Sequence, residues 1–431
     1  VAHPRTILPL PHPVEGTVTV PGSKSLTARL LVATALAEGT SVVRGALVSD
    51  DTAAMAESLR RLGCAVQATA GGTTLTVDGV GHRPRWAPCT LDVGLAGTVA
   101  RFLAPVAALG DQPVTIDGTP RMRERPMADT IAALRALGGR VTELRQPGHL
   151  PITVRGPLTG GSVTMAGDAS SQFLSGLLLA APAMPEGLTV QLTTPLVSRP
   201  YVAMTIATMA KFGVAVQVTD DGAFVVRPGQ RYQAAQVTVE PDASAASYFF
   251  AAAAITGSRL QVLGVHRGSL QGDVRFVDLL AAMGAEVHDT EDGLVVAGAG
   301  RLRGLDADMA DCSDVVPSLA VVAPFADGPT EVTGIGFIRA KETDRIGHTV
   351  AQLRRCGVDA DERADGLVVR PSSPHGAVVD PAGDHRMAMS FAVLGLRVAG
   401  VGIADPEVTS KTFPGFFDVL DRLHHLPPRR C

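Results

Sequence analysis

Leu59-Arg60-Arg61-Leu62-Gly63-Cys64-Ala65-Val66 reads as the last turns of a helix, a glycine that ends it and the first residues of a strand. The same grammar returns at 134–141, 209–216, 280–287 and 353–360. The stopping glycines Gly63, Gly138, Gly213, Gly284 and Gly357 stand 75, 75, 71 and 73 residues apart. Glycine suits a left-handed C-cap because it has no Cβ to strain there. After the glycine, alternating residues such as Thr74-Leu75-Thr76-Val77 read as strand and run into a Gly/Pro turn.

Working outward, an apolar stretch with helical spacing lies upstream in each unit, at 26–36, 99–109, 173–183, 245–255, 315–324 and 387–396. A β-rich segment follows it, as in Ser41-Val42-Val43 or Val114-Thr115-Ile116. One unit therefore reads β-α-β-α-β-β, and a sixth, truncated copy occupies 383–423. Units of this size are too large for a solenoid of short repeats. They predict six compact α/β subunits grouped into larger domains.

The 431-residue chain carries 38 Lys and Arg against 42 Asp and Glu, a slight negative balance that argues against nucleic-acid binding. Aromatic residues are scarce, which argues against base-stacking platforms. No apolar run approaches a membrane span, and no charged segment leads into a signal-peptide core. The five cysteines, Cys64, Cys89, Cys312, Cys356 and Cys431, form no CxxC pair. That argues against a disulfide framework or a zinc site and fits a cytoplasmic protein.

Only four lysines occur, Lys24, Lys211, Lys341 and Lys411, and the other 34 basic residues are arginine. Three of the four lie in short polar motifs, where a tunable amine can exchange a proton as arginine cannot. The polar motifs share one place in the unit, the start of its first helix. They are Ser23-Lys24-Ser25, Leu95-Ala96-Gly97-Thr98, Ala169-Ser170-Ser171-Gln172, Ala243-Ser244, Cys312-Ser313-Asp314 and Asp384-His385-Arg386. Capping explains part of this pattern. Helix N-termini also offer amide donors and partial positive charge to phosphate and carboxylate, and several in one cleft would build an anion receptor.

Arg121, Arg123 and Arg125 crowd about Glu124, a pattern that suits an anion ligand or a solvated charge cluster equally well. Ser198-Arg199-Pro200-Tyr201 adds neutral donors and a phenol, fit for a polyol phosphate or for capping alone. Lys341-Glu342-Thr343-Asp344-Arg345 offers an acid/base pair, with a solvated charge face as the competing reading. Met387-Ala388-Met389 reads as core.

Taken together these motifs resemble the 5-enolpyruvylshikimate-3-phosphate synthase family over nearly the whole chain. They occur in family order: PGSKSxTxR at 21–29, AGTxxR at 96–101, PRMxERP at 120–126, SSQF at 170–173 and SxPY at 198–201. Asp314, KETDR at 341–345, DHRMAM at 384–389 and KTFP at 411–414 complete the series. The resemblance implies an α/β fold, a two-domain inside-out α/β barrel of the enolpyruvyl transferase type with three repeats per domain. One domain would be 21–241 and the other 1–20 with 242–431, hinged by two crossover strands and closing over the substrates. The implied reaction moves the enolpyruvyl group of phosphoenolpyruvate to the 5-hydroxyl of shikimate 3-phosphate through a tetrahedral intermediate, releasing phosphate. It needs no metal or organic cofactor and implies a monomer with small-molecule partners, without nucleic acid or membrane.

By the same resemblance Lys24, Gly97, Arg125, Gln172, Arg345, Arg386 and Lys411 would hold phosphoenolpyruvate. Ser25, Arg29, Ser170, Ser171, Gln172, Ser198, Tyr201, Asp314 and Lys341 would hold shikimate 3-phosphate. Asp314 is the expected base toward the 5-hydroxyl. Glu342, with Lys24 or Lys411, is the candidate for protonating and deprotonating the methylene carbon. The chain departs from common family forms at Ala28, Leu95, Phe102 and Phe337. Phe337 is expected to remove a contact to shikimate 3-phosphate. Leu95 and Phe102 are expected to shrink the space beside Gly97 and reduce glyphosate sensitivity. Two other readings are a sister transferase acting on UDP-N-acetylglucosamine and a non-catalytic anion binder. Against the first, no cysteine lies between Gly110 and Pro126; against the second, Lys24, Asp314 and Glu342 are all present.

Overall fold

The structure, a computed structural model, describes residues 4–82 and 84–430. It divides into two compact units, Gly22–Val239 and Val1–Pro21 with Glu240–Cys431. The helix–glycine–strand grammar is realised five times. Helices Asp50–Arg61, Ala128–Ala136, Arg199–Lys211, Phe276–Met283 and Arg345–Arg355 each run into their glycine. Gly63, Gly138, Gly213, Gly284 and Gly357 have φ of 98°, 92°, 82°, 108° and 78°. Their N–H groups donate to the carbonyls of Arg60, Arg135, Ala210, Ala281 and Arg354, which ties off each helix end.

Among the described residues each unit holds three small sheets, five of the six built to one four-stranded plan. Cys89–Asp92 lies parallel to Val114–Asp117, which pairs antiparallel with Ile152–Arg155, itself antiparallel to Arg140–Glu143. Gly161–Met165, Leu188–Leu192, Phe224–Val226 and Gln217–Val218 repeat it, as do Asp306–Asp308, Thr330–Thr333, Gly366–Val369 and Ala360–Arg363.

Three strands come from places that reading the repeats in a row does not indicate. The leading strand beside Glu38–Arg44 is Gln236–Thr238, and the leading strand beside Arg259–Leu263 is Glu15–Val18. The truncated sixth copy, Val378–Val379 with Gly402–Ile403, is completed by Arg5–Thr6, paired antiparallel.

The first helix of each copy is apolar nearly all round, so it is buried on every side. Gly97–Ala107 and His385–Gly395 bury all of their residues. In one unit Lys24–Leu36, Gly97–Ala107 and Ser171–Ala180 pack on one another; in the other, Ala243–Thr256, Val316–Val322 and His385–Gly395 do. Each unit thus has its own core. The second helices are two-faced instead, as in Asp50–Arg61, which buries Met55 and Leu59 and exposes its arginines. No helix among the described residues is long and apolar enough to cross a membrane. Cys64, Cys89, Cys312 and Cys356 are free thiols, and Cys431 lies outside the described residues.

Candidate active site

In the Gly22–Val239 unit the polar helix starts carry cations set among mostly neutral acceptors. Ser23 caps Lys24–Leu36, its hydroxyl accepting from the Leu26 N–H. The cap places Lys24 on the first turn, where its Nζ stands 3.4 Å from Asp51 Oδ2 with both side chains largely buried. One turn on, Arg29 is 1% exposed. It donates to Thr205 Oγ1 at 2.7 Å, the Ser25 carbonyl at 2.8 Å and the Tyr201 carbonyl at 3.0 Å. Its guanidinium lies 5.2 Å from the Phe102 ring centroid and 5.8 Å from that of Tyr201. Burial, only partly opposed by Tyr201, pulls Arg29 down to about 10. Arg29 therefore fixes the backbone on which Ser25 and Tyr201 sit.

The helix Gly97–Ala107 begins at Ala96, which brings no side chain to cap it. Arg125 lies over that start, donating to the Leu95 carbonyl at 3.2 Å. A Cβ on Gly97 would meet the Arg125 guanidinium carbon at 2.7 Å, so only glycine admits this arrangement. Arg101 donates to Gln172 Oε1 at 2.8 Å, and the Gln172 amide donates to Thr98 Oγ1, which aims the glutamine. Ser170 caps Ser171–Ala180. Ser198, at the start of Arg199–Lys211, is buried with φ 52° and ψ 45°. A non-glycine residue there costs on the order of 1 kcal/mol, a strain that tends to gather at functional sites. Of the three crowded arginines only Arg125 turns inward. Arg121 pairs with Glu124, and Arg123 makes two bonds to Asp117, whose carboxyl that bond holds below its usual range.

In the other unit the site is a buried ionic network. Asp344 caps Arg345–Arg355, accepting from the Ile346 and Gly347 N–H groups. Arg345 is 2% exposed. It donates to Asp384 Oδ2 at 2.6 Å, Glu342 Oε2 at 2.8 Å and Asp314 Oδ1 at 2.9 Å. Burial works against its charge, but the three carboxylates outweigh burial and hold Arg345 above its ordinary value. Asp384 also caps His385–Gly395, accepting from the Arg386 N–H, while Arg386 Nη2 reaches Asp314 Oδ2 at 2.6 Å. Asp314 thus accepts from two guanidinium groups. Lys411, at the end of the turn Pro406–Lys411, is buried. Phe337 stands against Lys341, whose Nζ lies 5.8 Å from the ring centroid. His385 is buried with Nδ1 3.7 Å from Asp384 Oδ1, and Met387 and Met389 are core.

Asp314, Glu342, Arg345 and Arg386 are therefore one connected cluster; in the other unit Lys24, Gly97 and Gln172 stand at helix starts, Arg29 lies one turn into its helix and Arg125 lies over the start of Gly97–Ala107. The sequence offers Asp384 and Ser244 only within their helix-start motifs and gives no role to Asp242 or Asp273. Asp242 caps Ala243–Thr256, and the Ser244 hydroxyl donates to the buried Asp273 carboxylate. An aspartate after glycine, as in Gln271-Gly272-Asp273, carries no local signal beyond a turn.

Residues 9–420 match the family described as EPSP synthase (3-phosphoshikimate 1-carboxyvinyltransferase). A 3-phosphoshikimate 1-carboxyvinyltransferase of Trichormus variabilis is 43% identical over 409 residues, covering 95% of this chain and 96% of its own. That of Shewanella pealeana is 42% identical over 416 residues, covering 96% and 97%. Among solved structures, EPSP synthase from Acinetobacter baumannii superposes with a TM-score of 0.82 at 27% identity, over 98% of each chain. The enolpyruvyl transferase NikO from Streptomyces tendae, at 18% identity and TM-score 0.78 over 98% of each chain, shares the fold.

Proposed function

The chain belongs to the EPSP synthase (3-phosphoshikimate 1-carboxyvinyltransferase) family, and on that premise we propose how its residues carry out the transfer. It is an enolpyruvyl transferase of the shikimate pathway, which feeds aromatic amino-acid synthesis, and its substrates are phosphoenolpyruvate and shikimate 3-phosphate. The observation that carries the residue assignment is the Arg345 network. It sets a candidate base, Asp314, and a candidate acid, Glu342, on one buried guanidinium within hydrogen-bond reach.

Asp314 takes the proton of the 5-hydroxyl as its oxygen attacks the substituted carbon of the enol phosphate. Glu342, with Lys24 or Lys411, delivers a proton to the methylene carbon, giving a tetrahedral adduct. Withdrawal of a proton from the new methyl group and departure of phosphate restore the double bond. Lys24, Gly97, Arg125, Gln172, Arg345, Arg386 and Lys411 hold phosphoenolpyruvate. Ser25, Arg29, Ser170, Ser171, Gln172, Ser198, Tyr201, Asp314 and Lys341 hold shikimate 3-phosphate. Dense positive charge offsets the repulsion of two polyanions. We also assign domains at 21–241 and at 1–20 with 242–431, in a cytoplasmic monomer with no nucleic-acid or membrane partner.

Phosphate release from purified protein given both substrates tests this reading. UDP-N-acetylglucosamine in place of shikimate 3-phosphate should release none. Silence with both acceptors would leave only an anion binder. Gly97→Ala should raise KM for phosphoenolpyruvate by roughly tenfold, because the added carbon displaces the Arg125 guanidinium. Saturation curves at fixed shikimate 3-phosphate measure it. Phe102 is buried beneath Arg29, so its effect on the Gly97 helix acts through packing. Inhibition curves should show weaker glyphosate inhibition than in sensitive forms of the family.

A further inference from the structure

Asp273 belongs to none of the roles above. Its turn, Gly272–Arg275, is clamped to the start of the helix Ala243–Thr256 by Gln271. That side chain accepts from the Ala243 N–H at 3.0 Å and donates to the Pro241 carbonyl at 2.7 Å. The clamp brings the Asp273 carboxylate under the Ser244 hydroxyl, 3% exposed, in the field of Asp314, Arg386 and Asp242. Its turn packs against that helix and against the turn Ser313–Val315, whose Asp314 accepts from Arg386 at 2.6 Å. Asp242 stands at the helix start, Arg275 on its own turn, Asp314 on the turn Ser313–Val315 beside Cys312, and Arg386 on His385–Gly395. Burial pushes the Cys312 thiol up to about 12, so it stays neutral.

A second carboxylate next to Asp314 is a poor neighbour for a guanidinium that must attract an anion. In its charged form Asp273 offsets part of the Arg386 charge; in its neutral form it leaves that charge to the ligand. We propose that Asp273 is a positioning residue acting through Arg386, taking one proton from solvent as phosphoenolpyruvate engages Arg386 and returning it as phosphate departs. This rests on the assignment of Arg386 to phosphoenolpyruvate. Burial and then the Asp314 charge push Asp273 up to about 6, against the pull of Arg386 and of the Ser244 hydroxyl. The proton is therefore exchanged near neutrality.

Above about pH 6 the group is ionised in the free enzyme, opposes the incoming anion and raises KM for phosphoenolpyruvate. Asp273→Asn keeps an oxygen for the Ser244 hydroxyl and removes the titration. At pH 5.5 its KM should match the wild type within about twofold. At pH 8 it should be lower by several-fold, about tenfold for each unit by which the bound anion lifts Asp273. The kcat ratio should not vary with pH. Taking the ratio of the two enzymes cancels the titration of the substrate phosphate. A KM ratio constant from pH 5.5 to 8 overturns the proposal and leaves Asp273 a structural residue. Ser244→Ala supplies a second test should the first variant misfold. Loss of the hydroxyl donor should carry the KM rise to higher pH, and an unmoved profile would also overturn the proposal. A wild-type protein that releases no phosphate would instead overturn the functional reading beneath it.

Discussion

Arg345→Met should destabilise the chain by about 3–5 kcal/mol and abolish turnover. Removing one partner of a buried ion pair leaves the other charge unpaired in a poor solvent for it. Here three carboxylates, Asp314, Glu342 and Asp384, lean on one guanidinium, so the loss falls at the upper end of that range. Methionine fills the stem but offers no donor. Arg345→Lys keeps the charge, yet one ammonium lacks the planar fork that now reaches three acceptors, so recovery should be partial. Urea midpoints report stability and phosphate release reports turnover. A loss under about 1 kcal/mol would mean that water, not Arg345, solvates these carboxylates.

Lys24→Met should leave the fold intact and lower kcat by about a thousandfold. The lysine stem packs as methionine does, and the variant gives up the 3.4 Å approach to Asp51. Asp51 keeps its place in the first turn of Asp50–Arg61, where the helix start favours a carboxylate. The stability loss should stay below the roughly 3–5 kcal/mol of a fully buried pair, because the helix start still favours the Asp51 carboxylate. Circular dichroism and the melting temperature separate this outcome from an unfolded variant, which would make Lys24 structural. Lys24→Arg should fail as well if the amine exchanges a proton, because arginine does not give one up.

The repeat was readable because its signal is local. A glycine after Leu62, Leu137, Phe212, Met283 or Cys356 reports a left-handed cap whatever surrounds it. The caps at Ser23, Ser170 and Asp384 were readable for the same reason. Strand exchange was not. Gln236–Thr238 finds Glu38–Arg44 across nearly two hundred residues, and nothing in three residues names such a partner. The arginine cluster stays ambiguous in sequence because Arg121 and Arg123 answer to Glu124 and Asp117, whose distances only the fold sets. Phe102 and Phe337 were read as departures in a pocket; the structure gives each a cation to face, Arg29 and Lys341. Asp273 stayed silent because its chemistry comes from four elements and not from its neighbours in sequence.

The borrowed strands set an order of assembly on the ribosome. Gly22–Val239 contains every strand of its own sheets, so it can close while the rest is still being made. Glu15–Val18 must wait for Arg259–Leu263, and Arg5–Thr6 for Gly402–Ile403. At about 5–20 residues per second that is a delay of tens of seconds or more. Throughout it Arg5–Thr6 and Glu15–Val18 wait as open edges that a chaperone must shield or that misfolding can claim.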